Sequence, residues 1–315
     1  MTRRSQYART VLRLVSGLLA GLLLAAAAAG AGAKPLTVVT TVPDLAWIVR
    51  EIGGDCVSVT SLCKGYQDPH YLEAKPSYAR DLREADLLVY VGLELEVGWL
   101  PRLLDTARNT SLRPGSPGLL EASKAVDTLL EVPTGTVSRA EGDVHPFGNP
   151  HFLLDPRVML PLSDLVADRL ATLDPEGSAA YAERHARFKK TMEERLAAWE
   201  ATAAPLRGAT LVAYHKQWEY LTNWLGISIL DYVENRPGVP SSPRHVSDLI
   251  QNMKQNNVTV VIAAPFVDIH AAQEVARRAK GTLIELPAAV GGADGADTYP
   301  DLIQTILDAL LAARS

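Results

Sequence analysis

Four residues in this chain have the type and spacing to hold a metal ion: His70, His151, His215 and Asp297. His70 follows Asp68-Pro69 in "GYQDPHYLEAKPS", and His151 follows Asn149-Pro150 in "FGNPHFLLDP", 81 residues later. His215 ends "TLVAYH", and Asp297 closes "GGADGAD", 82 residues after it. Taken singly, each has a simpler structural reading. The pattern argues otherwise, because each half of the chain supplies two candidates at a loop or strand end. Three imidazoles and a carboxylate suit tetrahedral Zn²⁺. Pro69 and Pro150 restrict the backbone before each histidine and so reduce the entropy lost on binding. Asp68, Asn149 or backbone carbonyls are candidates to hold the second imidazole nitrogens.

The other histidines have plainer readings. His185 falls near the apolar face of a long helix and is read as structural. His245 and His270 lie near helix starts and are read as surface residues. His145, six residues before His151 in "GDVHPFGNPH", is read first as a solvated loop histidine, with metal capture or replacement of His151 as alternatives. "GGADGAD" lacks the length and the glutamate of a calcium-binding EF-hand loop. No H-E-x-x-H, G-x-S-x-G or G-x-x-x-x-G-K-[ST] motif occurs. Four protein ligands leave no position for an activated water, so the expected role is carriage of an ion and not catalysis.

These residues need a scaffold, and the pattern of the chain supplies one. From Leu36, β-rich runs alternate with helical ones: "LTVVTT", "PDLAWIVREIG", "CVSVTSL", "KPSYARDLREA", "DLLVYVG" and "GWLPRLLDTARN". The second half does the same, from "TLVAYH" to the helix "TYPDLIQTILDALLAA". This is the β-α-β signature of parallel sheets in an α/β protein. His70, past a strand, and His215, at a strand end, fall on the carboxyl edge where open sheets bind ligands. Between the halves, Asp174-Pro175 opens a helix with Phe188, Met192, Leu196, Trp199 and Ala203 on one face. Running from Pro175 to Ala203, it would span ~43 Å and lie along both halves. Such a connector predicts limited hinge motion. The polar, Gly/Pro-punctuated loop 131–150 is expected at the surface and mobile. The resulting division is a leader at 1–33, a first lobe at 34–173, a connecting helix at 174–205 and a second lobe at 206–315.

The leader has Arg3, Arg4, Arg9 and Arg13, an apolar run and Ala31-Gly32-Ala33, which fits a signal peptide cleaved near Ala33. Its loss takes 31 basic residues to 27 against 36 acidic, a net charge of −9. That balance disfavours nucleic acid and suits a cationic ligand. No cysteine precedes Cys56, so a soluble mature product is expected. Cys56 and Cys63 flank an extended run that would hold their sulfurs ~20 Å apart, so no internal disulfide is expected.

The chain resembles the zinc- and manganese-binding periplasmic solute-binding proteins of ABC importers. The likeness runs from about Leu36 to Ala312. Its specific points are "DPHYLEAKPSYARDLREADLLVYVGLELEVGWL", "NPHFLLDP", "YHKQWEYL" followed by "LGI", "PSSPRHVSDLI" and "DTYPDLI". The resemblance implies two Rossmann-like α/β lobes joined by a backbone helix, with metal in the interlobe cleft. It implies His70, His151, His215 and Asp297 as ligands, a monomer, a periplasmic location and a membrane ABC permease as partner. Manganese-type members typically place Glu at the third position, so His215 favours zinc. A manganese receptor is the alternative within the family. An exported zinc hydrolase and a surface adhesin are the alternatives outside that role. Two departures stand out: a His-rich loop between the first two ligands is reduced to His145, and the residues after His215 read "KQWEY".

Overall fold

Runs of β-branched and leucine residues, punctuated by prolines that start helices, build the first half of the molecule. The computed structural model describes residues 34–135, 142 and 144–313. The leader with its cleavage point near Ala33, and residues 136–141 and 143 of the central loop, lie outside the described residues. In chain order the first lobe contains β1 (Leu36–Thr40), α1 (Pro43–Gly53), β2 (Val57–Ser61), α2 (Pro76–Glu84), β3 (Leu87–Tyr90), α3 (Leu100–Ala107), β4 (Leu119–Glu121) and α4 (Met159–Leu173). Proline occupies the first turn of α1, α2 and α3, where its fixed φ suits the helix and its missing N–H is no loss. The strands are all parallel, in the order β2-β1-β3-β4.

The long helix α5 (Ser178–Ala203) follows a 3₁₀ turn at Pro175–Gly177. Asp174 caps that turn, accepting from Gly177 N at 3.2 Å and from the Tyr181 hydroxyl at 2.7 Å. Phe188, Met192, Leu196, Trp199 and Ala203 are buried, as their spacing requires. The helix packs on α1 and α4, and on the last helix of the second lobe. That lobe contains β5 (Thr210–Ala213), α6 (Glu219–Leu225), β6 (Ser228–Tyr232), α7 (Pro243–Gln255), β7 (Val260–Ala263), α8 (Ile269–Ala279), β8 (Thr282–Glu285) and α9 (Tyr299–Ala312). Its parallel sheet is ordered β6-β5-β7-β8, so the two lobes share one topology. In each, the strand order reverses beside the first strand, which opens a crevice at the carboxyl edge.

One continuous apolar cluster joins the lobes beneath that edge. Trp47 of α1 stacks on Tyr299 of α9 and tilts against Phe188 of α5, both at 5.6 Å between ring centroids. The Tyr299 hydroxyl donates to the Leu153 carbonyl at 2.7 Å. Among the described residues no helix is long and apolar enough to cross a membrane. Cys56 and Cys63 are both free thiols.

Candidate metal centre

His70 is fixed by its own tripeptide. Asp68 Oδ1 accepts from His70 N at 2.9 Å and lies 2.7 Å from His70 Nδ1. The Nδ1 proton therefore points at the carboxylate, and Nε2 is left with its lone pair. Burial pushes the Asp68 carboxyl up, but the hydrogen bonds and charge of His70 outweigh it and hold it below the usual range. The loop is pinned from behind by the Trp99 indole, which donates to the Pro69 carbonyl at 2.8 Å.

His215 emerges directly after β5 and Tyr214, at the crevice of the second sheet. Its Nδ1 lies 2.7 Å from Glu234 Oε2, and the two side chains are 10% and 13% exposed. Burial alone would lower its pKa, but the hydrogen bond and charge of Glu234 raise it above the ordinary imidazole value. His151 follows Asn149, whose Oδ1 accepts from His151 N at 2.9 Å. His151 Nε2 is buried and has no hydrogen-bond partner among the described residues. Burial, then the nearby imidazoles, push its pKa well below the ordinary value, so the ring is neutral.

His145 joins these three. Its Nε2 lies 3.2 Å from His70 Nε2, close to the ~3.3 Å edge of a tetrahedron with Zn–N bonds of ~2.05 Å. Its Nδ1 faces the Leu93 carbonyl at 3.2 Å. Candidate donor atoms of His70, His145 and His151 all lie within 4.8 Å of one another. The His215 ring stands 5.7 Å from that of His70 and 5.9 Å from that of His151. Three of the four rings thus commit Nδ1 to an oxygen acceptor, an arrangement that orients a ligating imidazole and raises its basicity.

Asp297, expected to supply the carboxylate, is not brought to this group. It is exposed, between Ala296 and Tyr299, both of which are fully buried. With those two filling the core at the base of α9, the Asp297 side chain turns to solvent. After β8, the residues lining the small cavity beside His151 are Ala288 and Ala289, which carry no donor. The close donor group thus comes from the first lobe, and the His215 ring of the second lobe stands beside it. The described part of the loop bearing His145 lies at the surface as expected, except that Gly148, Asn149 and Pro150 at its end are buried.

Glu96 was not singled out from the sequence. It is buried, 3% exposed, where the chain leaves β3. Its Oε1 accepts from Thr41 Oγ1 and Val91 N, both at 2.7 Å, and its Oε2 from Gly92 N at 3.2 Å. The next two residues, Leu93 and Glu94, are left-handed at φ 53° and 63°. That costly turn aims the Leu93 carbonyl at His145. An acid alternating with leucines in "VGLELEVGWL" is the sequence signal for it. His185 meets Ser163 Oγ at 3.0 Å and Asp164 Oδ1 at 3.1 Å, away from the site, as a structural residue would. His245 bonds the Tyr232 carbonyl at 2.9 Å, and His270 is exposed.

Two similar α/β lobes strung on one helix, with imidazoles gathered between them, define a bilobal ligand-capturing protein. The family model described as zinc-uptake complex component A periplasmic matches residues 38–313, and the chain belongs to that family. The manganese-binding lipoprotein MntA of Halalkalibacterium halodurans is 24% identical over 311 residues, covering 93% of this chain and 96% of that protein. The zinc-binding lipoprotein AdcA of Streptococcus pneumoniae is 22% identical over 232 residues, covering 72% of this chain and 44% of that protein. A crystal structure of ZnuA superposes with a TM-score of 0.75 at 22% identity, covering 90% of this chain and 100% of that one, and so shares the fold.

Proposed function

We propose that this protein is the solute-binding component of a metal ABC importer, that it carries Zn²⁺, and that its ligands are His70, His145, His151 and His215. The observation that carries the reading is the convergence of four imidazoles around a buried, unpartnered His151 Nε2. A buried polar atom without a partner is costly, and a cation satisfies it. Neutral nitrogen donors without a carboxylate favour Zn²⁺ over Mn²⁺, which prefers oxygen. The likeness to MntA is the ground for a manganese reading, and the donor set counts against it. Four imidazoles also leave no coordination position for a nucleophilic water, which argues for carriage and against a zinc hydrolase. In this reading the protein is exported to the periplasm, loses its leader near Ala33, and hands the ion to the membrane permease. The test is competitive loading of the metal-free protein with Zn²⁺ and Mn²⁺ against a chelator of known affinity. Zinc binding that vanishes in the His151→Ala variant supports the reading, whereas equal retention of zinc without His151 contradicts it.

A further inference from the structure

The motifs Asp68-Pro69-His70 and Asn149-Pro150-His151 form the same backbone turn, with Oδ1 accepting from the histidine N–H at 2.9 Å in both. They differ in what the rest of the side chain does. Asp68 spends its carboxylate on the ring of its own histidine. Asn149, only 5% exposed, turns its amide nitrogen away from His151. Nδ2 lies 3.1 Å from Glu131 Oε2, 3.3 Å from the Lys216 carbonyl and 3.0 Å from Glu219 Oε2. Lys216 is the residue after His215, and Glu219 opens α6. Lys216 Nζ returns to Glu131 Oε1 at 2.8 Å, and the Tyr232 hydroxyl donates to Glu219 Oε1 at 2.6 Å. One side chain thus bonds the backbone of a first-lobe histidine and the backbone next to the second-lobe histidine.

We infer that Asn149 is a positioning residue that clasps the His151 and His215 loops across the cleft and thereby sets how fast the bound ion leaves. The inference rests on the metal-carrier reading above. It explains why an amide, and not an acid, stands here: a carboxylate could still accept from His151 N, but it would face two carboxylates where the amide donates. The donor in this clasp is Nδ2 and the acceptor is Glu219, so the polarity can be exchanged. Asn149→Asp removes the donor, Glu219→Gln replaces the charged acceptor with a neutral amide, and the two together allow a pair in which Gln donates and Asp accepts. Gln also keeps an oxygen for the Tyr232 hydroxyl.

The experiment measures the rate of zinc release to excess chelator for the native protein, both single variants and the double variant, with thermal melting of each metal-free protein alongside. Each single change is expected to speed release at least about tenfold, the scale for a lost hydrogen bond to a charged group. The double variant is expected to release more slowly than Asn149→Asp alone, though Glu131 still faces the new carboxylate, a non-additivity that neighbouring groups show only when they interact. Release rates that the singles leave unchanged, or that multiply in the double, overturn the clasp. Should Asn149→Asp fail to fold, Asn149→Ala decides in its place, and unchanged release overturns the clasp. A native protein that takes up no zinc counts against the carrier reading and not against the clasp.

Discussion

Replacing His145 with alanine separates a four-imidazole site from one completed by Asp297. His145 sits in a loop, half-buried, and its Nδ1 lies 3.2 Å from the Leu93 carbonyl. That bond is worth about 1 kcal/mol to the metal-free fold, which thermal melting of the metal-free variant checks. The cost to the loaded protein is much larger. Removing a partner that only supports a ligating histidine typically lowers affinity about 10–100-fold, so removing a ligand should cost at least about 100-fold, or about 2.7 kcal/mol. His70 Nε2 would then face water across the 3.2 Å gap that His145 Nε2 now fills. The assay is chelator competition for zinc, with the visible spectrum of the cobalt-loaded protein as a check on tetrahedral geometry. Asp297→Ala, at an exposed position, should leave both unchanged. An affinity within about threefold of native for His145→Ala, together with a loss of about 100-fold for Asp297→Ala, would refute the assignment.

Zinc affinity should fall as pH drops through the raised pKa of His215, because the proton held there by Glu234 competes with the ion, while His151 stays neutral. Glu234→Gln should move that fall to lower pH and weaken binding about 10–100-fold at high pH, read by titration calorimetry across pH. Burial lifts the Asp44 carboxyl from 3.8 to about 7. The folded state thus holds a proton that the unfolded state releases, and stability is full below pH 3.8 and lost as pH rises through about 7. Asp44→Asn should flatten that slope, by at most ~3 kcal/mol, in denaturant melts of the metal-free protein at about pH 5 and about pH 8. Scattering profiles of the metal-free and zinc-loaded protein should nearly coincide, because α5 and the Trp47–Tyr299 stack tie the lobes together; a large compaction would contradict this.

The architecture was legible because its signals are local and redundant. Prolines mark the starts of α1, α2, α7 and α9, and the buried stripe of α5 follows its spacing residue by residue. β4 escaped notice because three residues, Leu119–Glu121, are too few to show a period. The site was half legible. Asp68-Pro69-His70 and Asn149-Pro150-His151 announce themselves, since an Asx side chain and a proline fix the histidine that follows. His145 lacks such a local signature, and its partner, the Leu93 carbonyl, lies 52 residues away on a turn held by Glu96. Asp297 stood out because an acid in a glycine-rich loop looks available, whereas the structure leaves it exposed. Only the packing of Ala296 and Tyr299 shows that it faces outward. The difference between Asp68 and Asn149 could not be read from the chain either, because it depends on Glu131 and Glu219 meeting across the cleft.

X-ray absorption at the zinc edge of the loaded protein tests the ligand set most directly. The expected spectrum has four nitrogen neighbours at about 2.0–2.1 Å with the outer-shell pattern of imidazole rings, and it loses one ring in His145→Ala. Three imidazoles with one carboxylate oxygen, unchanged in His145→Ala and altered in Asp297→Ala, would contradict the account.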